Sequence, residues 1–278
     1  MKTPFRVLSS VCRAVVITSL MALSVSASFA VEIIAHRGAS YDAPENTMSA
    51  MKLAWKQKAD AIELDIHLSK DGRIVMMHDF DTRRIGGVNK KIVDQTWDEL
   101  QQLDVGAWKD RKFRGERIPT LTSVLKTIPR GKRALIEIKV GPEILPELER
   151  EMKASGKKPE QLAIITFRYD TAVAAKERFP AHKVYFLHGY NRSKTTGELP
   201  KLDELIQRAK AGNLDGLDLS YKFPIDRAFV QKVKDAGLEF YTWTVNEPEV
   251  AQTHVEVGVD GITTDRPGYL RKELKLKK

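Results

Sequence analysis

Glu63 and Asp65 stand one residue apart in the run Ala61-Ile62-Glu63-Leu64-Asp65-Ile66. The run reads as a strand, which puts both carboxylates on one face. Two acids on an inward face are costly to desolvate unless a cation or a partner neutralises them. Clustered carboxylate oxygens suit a hard divalent cation. A second strand-like run ends in Glu137-Ile138-Lys139, again with the two charged residues on one face. Glu137 could complete a three-carboxylate metal site, and Lys139 could meet phosphate charge. The plainer alternative is a Glu–Lys ion pair across the interior. An earlier run ends in His36-Arg37-Gly38. Histidine exchanges protons near neutral pH, the arginine fork fits phosphate oxygens, and Gly38 lets the backbone turn sharply. Taken alone, His36 reads as a satisfied buried histidine and Arg37 as a structural ion pair. The same charged pattern at three strand ends makes those readings weak.

Lys70-Asp71-Gly72-Arg73 is a hairpin signal centred on Asp-Gly. Counted as a two-residue turn, it pairs Lys70 with Arg73, Ser69 with Ile74 and finally Asp65 with His78. Opposed residues share a face, so His78 would stand beside the two carboxylates, with His67 on that face too. A three-residue turn would shift this register.

These residues need a frame. Strand-like runs recur at Ile33–His36, Ala61–Ile66, Ala134–Lys139, Leu162–Thr166, Lys183–Leu187, Leu214–Leu219, Glu239–Thr244 and Gly261–Thr264. Amphipathic stretches lie between them, among them Thr47–Lys58, Glu143–Met152, Leu202–Ala211 and Glu247–Val257. Eight such strands, each followed by a helix, predict an α/β fold of the (β/α)8 barrel type, with a doubly wound open sheet as the alternative. Catalytic residues of a barrel collect at the C-terminal ends of its strands, where His36, Arg37, Glu137 and Lys139 fall. Residues 67–118 interrupt the alternation and read as an insertion after the second strand, on that same face.

The chain has 278 residues, 42% of them apolar and 30% charged, enough for one large domain. Lys2, Arg6 and Arg13 precede an apolar run from Ala14 to Leu23, and Ser28-Phe29-Ala30 resembles a cleavage site. Residues 1–30 are therefore expected to be a secretory signal peptide, leaving a mature domain of 31–278, exported to the periplasm or the medium. The run is too short for a membrane anchor. Cys12 is the only cysteine and falls inside this segment, so a mature chain would carry no disulfide and no thiolate site. The formal net charge is +9. Without residues 1–30 it becomes +6, 43 basic residues against 37 acidic. Charges are mixed, apart from the tail Lys272 to Lys278. No arginine-rich arm or nucleic-acid motif appears, and no nucleic-acid or membrane partner is expected.

The motifs His36-Arg37-Gly38, Pro44-Glu45-Asn46-Thr47, Glu63-x-Asp65, Asp71-Gly72, His78-Asp79, Ile118-Pro119-Thr120-Leu121, Glu137-Ile138-Lys139, Trp243-Thr244-Val245-Asn246 and Gly261-x-x-Thr264-Asp265-x-Pro267 stand in one order. In that order the chain resembles the glycerophosphodiester phosphodiesterases over essentially all of residues 32–270. The resemblance implies a TIM barrel with a small insertion after its second strand. It implies that Glu63, Asp65 and Glu137 bind one divalent cation, Ca2+ or Mg2+. His36 and His78 would be the general acid and base, Arg37 and Lys139 would hold phosphate oxygens, and Trp243 would shape the pocket for the glycerol moiety. Glu45 and Asn46 would support Arg37 or cap the helix near Thr47. The reaction implied is hydrolysis of a glycerophosphodiester to an alcohol and glycerol 3-phosphate, through a cyclic phosphate formed by the glycerol 2-hydroxyl. The family often has an acid after Pro-Thr-Leu; Thr122 and Ser123 stand there instead.

Rival readings are a lysophospholipase D on the same barrel, a barrel that binds phosphodiesters without turnover, and a glycosidase. The last fits poorly, because Glu63 and Asp65 share one strand and cannot flank a bond from both sides. His182 and His254 are expected at the surface, and His188 and His67 carry little weight.

Overall fold

A computed structural model of the chain describes Met1 and residues 31–276. The expected signal segment with Cys12, and the last two lysines of the tail, lie outside the described residues. Among the described residues there are nine strands: β1 (Glu32–Ala35), β2 (Ala61–Leu68), β3 (Ile74–Met76), β4 (Arg133–Ile138), β5 (Leu162–Thr166), β6 (Lys183–His188), β7 (Gly216–Ser220), β8 (Glu239–Trp243) and β9 (Gly261–Thr264). The helices are α1 (Met48–Lys56), α2 (Arg83–Gly86), α3 (Trp97–Gln101), α4 (Leu121–Lys126), α5 (Leu145–Ser155), α6 (Tyr169–Arg178), α7 (Leu202–Ala211), α8 (Arg227–Asp235), α9 (Pro248–Val257) and α10 (Pro267–Glu273).

Eight strands run parallel in the order β1-β9-β8-β7-β6-β5-β4-β2, and β2 pairs back onto β1. The sheet therefore closes into a TIM barrel and is not an open sheet. Parallel strands buried on both faces need near-continuous apolar runs, and Leu162–Thr166 is buried throughout. Two cores result. Ile34, Leu135, Ile165, Tyr185, Leu187 and Tyr241 fill the interior. A larger cluster, including Ile33, Ile62, Ile136, Ile164, Phe186 and Phe240, packs between strands and helices. At the N-terminal end of the strands Arg133 plugs the barrel. Its guanidinium meets Glu32 and donates to the hydroxyls of Tyr185 (3.1 Å) and Tyr241 (2.6 Å). The Tyr241 ring lies where a side chain on Gly261 would be, 2.6 Å from an added Cβ.

The hairpin exists, but its register is one residue off the two-residue count. β2 and β3 pair Ile66 with Met76, His67 with Val75 and Leu68 with Ile74. Ser69 N donates to Arg73 O, so the turn holds three residues, with Gly72 at φ 73°. Asp65 then faces Met77, whose N donates to Asp65 O, and does not face His78. β1 stops at Ala35, and β3 takes the edge of β2 that β1 leaves empty. β3 in turn stops at Met76. His78 follows outside the ladder, which lets its ring reach the barrel mouth without strand alternation.

The rest of the insertion is built on this ribbon. Lys70 N donates to Gln95 O, and Trp97 N donates to Asp71 Oδ1. Ile85, Ile92, Leu100, Leu103 and Val105 anchor it to the main core. α4 starts directly after Thr120, whose side chain accepts from Ser123 N and caps it. The acid absent after Leu121 is supplied from α5, because Glu151 Oε2 accepts from Thr122 N at 2.9 Å. One surface expectation fails: His254 is 3% exposed on the inner face of α9 and bonds Thr242 Oγ1 at 3.1 Å. His182 is half-buried.

Candidate active site

The C-terminal mouth of the barrel holds a cavity of about 240 Å3. His36, Arg37, Glu63, His78, Glu137 and Trp243 line it, together with Ile165, Phe167, Leu187, Asp218, Thr244 and Thr263. Six of the eight residues expected in the site are thus on its wall. Asp65 and Lys139 stand directly behind it, joined to it by ion pairs.

Gly38 makes the first turn possible. It adopts φ 82°, and a Cβ there would lie 2.6 Å from the carbonyl carbon of Ala50. Arg37 itself has φ 56°, a left-handed conformation that costs an L-residue about 1–2 kcal/mol. Hydrogen bonds hold it there: Arg37 N donates to Glu63 Oε2 at 2.8 Å, and Asn46 N donates to Arg37 O at 3.0 Å. The expected support from Glu45 is present, since Arg37 Nη1 donates to Glu45 Oε1 at 3.0 Å. Asn46 serves Asp65, donating Nδ2 to Oδ2 at 2.8 Å. Thr47, not Asn46, caps α1.

Glu63, Asp65 and Glu137 come from adjacent strands, and each can offer one oxygen such that the three lie within 4.8 Å of one another. Each acid is tethered by one oxygen: Glu63 to Arg37 N, Asp65 to Asn46, and Glu137 to Lys139 Nζ at 2.7 Å. Glu63 Oε1 and Asp65 Oδ1 are buried and have no hydrogen bond. Burial pushes the Glu63 carboxyl well above its usual range, and Asp65 and Glu137 push it further. Burial and then Asp65 push Glu137 up to about 7. Burial opposes ionisation of Asp65 too, but Lys139 and Arg37 hold its carboxyl low. Lys139 Nζ, 3.3 Å from Asp65 Oδ1 and 2.7 Å from Glu137 Oε1, sits among the acids, and Arg37 Nε approaches Asp65 Oδ2 at 3.5 Å from the other side. The Glu–Lys pair weighed from sequence is therefore formed, with a second carboxylate in it. A carboxylate-only donor set, with Glu63 Oε1 buried and without a hydrogen bond, fits a hard divalent cation.

Both histidines are braced in the same way. His36 Nδ1 lies 2.6 Å from Asp265 Oδ1, and His78 Nδ1 lies 2.9 Å from Asp79 Oδ1. A carboxylate on Nδ1 fixes the ring and its tautomer, and it leaves Nε2 as the proton carrier. Asp265 is held in turn by Ser40 Oγ (3.0 Å) and Asn246 Nδ2 (2.7 Å). Burial opposes ionisation of Asp265, but these bonds and His36 keep its carboxyl low. Asp79 is held by Arg84, chiefly through hydrogen bonds that lower it to about 2. Arg84 also grips Glu45 with both terminal nitrogens, at 2.9 and 2.7 Å. A continuous chain thus runs Arg37–Glu45–Arg84–Asp79–His78. Burial lowers His78, assisted by Arg37 and Lys139, which favours its neutral, proton-accepting form.

Asp79 and Asp265 stand inside sequence motifs that assign them no role, and Arg84 and Asp218 stand in none of the motifs. A histidine followed by an acid was the available signal for Asp79. A lone acid in an apolar run, Leu217-Asp218-Leu219, was the signal for Asp218. Nothing local marks Arg84. Of the minor histidines, His67 packs edge-on to Phe80 beneath the site, and His188 faces away from this cavity.

Comparison with known proteins agrees with this geometry. A family model described as the glycerophosphoryl diester phosphodiesterase family matches residues 36–269. The chain is 34% identical over 245 residues to YhdW of Bacillus subtilis (strain 168), covering 87% of this chain and 98% of that one. It is 34% identical over 242 residues to a glycerophosphodiester phosphodiesterase of Caldanaerobacter subterraneus subsp. tengcongensis, covering 86% and 95%. Among solved structures it is similar to an Oleispira antarctica phosphodiesterase in complex with its product sn-glycerol-3-phosphate. The TM-score is 0.79 at 27% identity, over 90% of this chain and 98% of that one. The chain belongs to the glycerophosphoryl diester phosphodiesterase family and is a glycerophosphodiester phosphodiesterase.

Proposed function

We propose that the chain hydrolyses glycerophosphodiesters to an alcohol and glycerol 3-phosphate, with one divalent cation, Ca2+ or Mg2+, held by Glu63, Asp65 and Glu137. The observation that carries this reading is the juxtaposition of three singly tethered acids with two carboxylate-braced histidines in one cavity. A dication held by these three acids would supply positive charge against the phosphate. Arg37 adds its own charge to the equatorial oxygens, where negative charge builds in the transition state. Lys139, paired with Asp65 and Glu137 behind the wall, is the second cationic group whose charge would act on the phosphate. One histidine takes the proton of the glycerol 2-hydroxyl through Nε2. That oxygen bonds to phosphorus, the bond to the alcohol oxygen breaks, and the other histidine protonates the leaving alcohol. Water then opens the cyclic phosphate with the two roles exchanged, giving glycerol 3-phosphate. Trp243 and Phe167, paired edge to face at 5.4 Å, wall the side where the glycerol would lie.

The test compares glycerophosphocholine with 3-hydroxypropyl phosphocholine, which lacks only the 2-hydroxyl. The first should give choline and glycerol 3-phosphate, with cyclic phosphate visible by 31P NMR in early samples. The second should react at least about 100-fold more slowly, the loss expected when an intramolecular nucleophile is removed. Equal turnover of both contradicts the cyclic route. The apolar wall of Ile165, Phe167, Leu187 and Trp243 favours one second reading, a lysophospholipase D. Faster choline release from lysophosphatidylcholine than from glycerophosphocholine would select it. Export by residues 1–30 belongs to the same proposal and places the reaction in the periplasm or the medium.

A further inference from the structure

Two polar side chains on the cavity wall take no part in the chemistry above. Asp218 sits in the middle of β7, 1% exposed, and its Oδ1 has no hydrogen-bond partner. Thr263 sits on β9, 2% exposed, and its Oγ1 is likewise unpartnered. Leaving a buried polar group unsatisfied costs roughly 1–3 kcal/mol. Here two such groups open onto one cavity of about 240 Å3. Native structures keep few groups of this kind, and a ligand is one reason to keep them.

The surroundings say what the ligand must be. Trp243 Nε1 donates to the Asp218 carbonyl at 3.1 Å, so the indole is seated against this same residue. Phe167 meets the indole edge on, and Ile165 and Leu187 extend the apolar wall. An apolar wall beside two orphan oxygens matches a small polyol. Its C–H face packs on the aromatic surface while its hydroxyls satisfy the oxygens. Burial, and then Glu137, push the Asp218 carboxyl well above its usual range, so an anionic group is disfavoured beside it. A neutral hydroxyl, which can both donate to and accept from a carboxyl group, is favoured.

We propose that Asp218 and Thr263 form a hydroxyl-binding subsite that takes the terminal hydroxyl of the substrate's glycerol moiety and selects for a free diol. The inference rests on the glycerophosphodiester reading and adds its specificity residues. A lipid acyl chain esterified at that terminal hydroxyl would leave both oxygens unsatisfied, so the subsite also discriminates against lysophospholipids.

The experiment uses glycerophosphocholine and 2-hydroxypropyl phosphocholine. The second keeps the 2-hydroxyl and lacks only the terminal one. The wild-type enzyme should prefer the first by roughly 100-fold in kcat/KM, the upper end of the scale for leaving buried polar groups unpaired. In Asp218→Ala this preference should fall to within about 5-fold, and in Thr263→Val it should fall part of the way. Inhibition by glycerol 3-phosphate should weaken in both variants relative to inhibition by 2-hydroxypropyl phosphate. This binding readout needs no turnover. Asp218→Leu, close in shape and unable to hydrogen-bond, serves if the alanine variant does not fold. Cation content per chain should match that of the wild type. A wild-type preference near one, a preference unchanged in Asp218→Ala or Asp218→Leu, or a variant that loses its cation overturns the subsite. Failure of the wild type to cleave either ester contradicts the underlying reading instead.

Discussion

Asp79 and Glu45 touch no part of the cavity chemistry directly, yet each holds a residue that does. Arg84 joins them through four nitrogen–oxygen contacts of 2.7–3.1 Å. Its side chain is half-exposed, so its worth lies in orientation more than in stability. Arg84→Gln should therefore lower kcat by roughly 10-fold, the low end for residues that orient catalytic ligands, with only a small fall in thermal midpoint. Asp79→Asn should cost a similar factor, and the double variant less than the product of the two, because both act on the His78 ring while only Arg84 also reaches Arg37 through Glu45. Arg84→Lys should recover only part of the loss, as a single ammonium cannot grip both carboxylates. Choline release by the single and double variants measures this, and fully additive losses would contradict it. Most of the candidate site residues were legible from sequence because each is a charged or polar residue in or just past an apolar strand-like run. Arg84 was not, since its partners lie 5 and 39 residues away and meet only when the insertion folds against the loop that carries Glu45.

The β2–β3 ribbon shows what element-level counting can miss. Asp-Gly suggested a two-residue turn, but the Ser69 hydroxyl accepts from Arg73 N and donates to Asp71, which stabilises a three-residue loop instead. The register moved by one residue, and His78 still reached the site because β3 ends before it. Helix α9 was misjudged differently. His254 read as a polar position on a mixed helix, while the fold turns it onto Thr242 of β8. Burial lowers it to about 4, below the roughly 6.5 of an unfolded histidine. The unfolded chain then binds the proton more tightly than the folded one. Stability is intact above about pH 6.5 and declines as pH falls toward 4. In His254→Gln the slope of unfolding free energy against pH in that window should flatten by up to ~1.4 kcal/mol per pH unit, as one proton no longer links to unfolding. Urea unfolding at a series of pH values measures it, and an unchanged slope would contradict the assignment.

At the scale of the whole molecule, alternation of strands and helices gave the layers but could not show closure. Closure depends on β1 pairing with β9, more than 220 residues away in sequence. The ordered motifs pointed to it, because their residues converge only if the strand ends form a ring. The N-terminal segment offers a separate test. If residues 1–30 direct export, protein recovered from outside the cytoplasm of an expression host should begin at Val31. Recovery there with the segment intact would contradict cleavage. The barrel brings Glu63 and Asp65 of β2 beside Glu137 of β4, and the whole account turns on what those three acids hold. The most direct measurement strips the enzyme with a chelator, then follows glycerol 3-phosphate release from glycerophosphocholine while Ca2+ or Mg2+ is titrated back. Activity should start near zero and rise to saturation with one cation bound per chain. Full activity with no divalent cation present would contradict it.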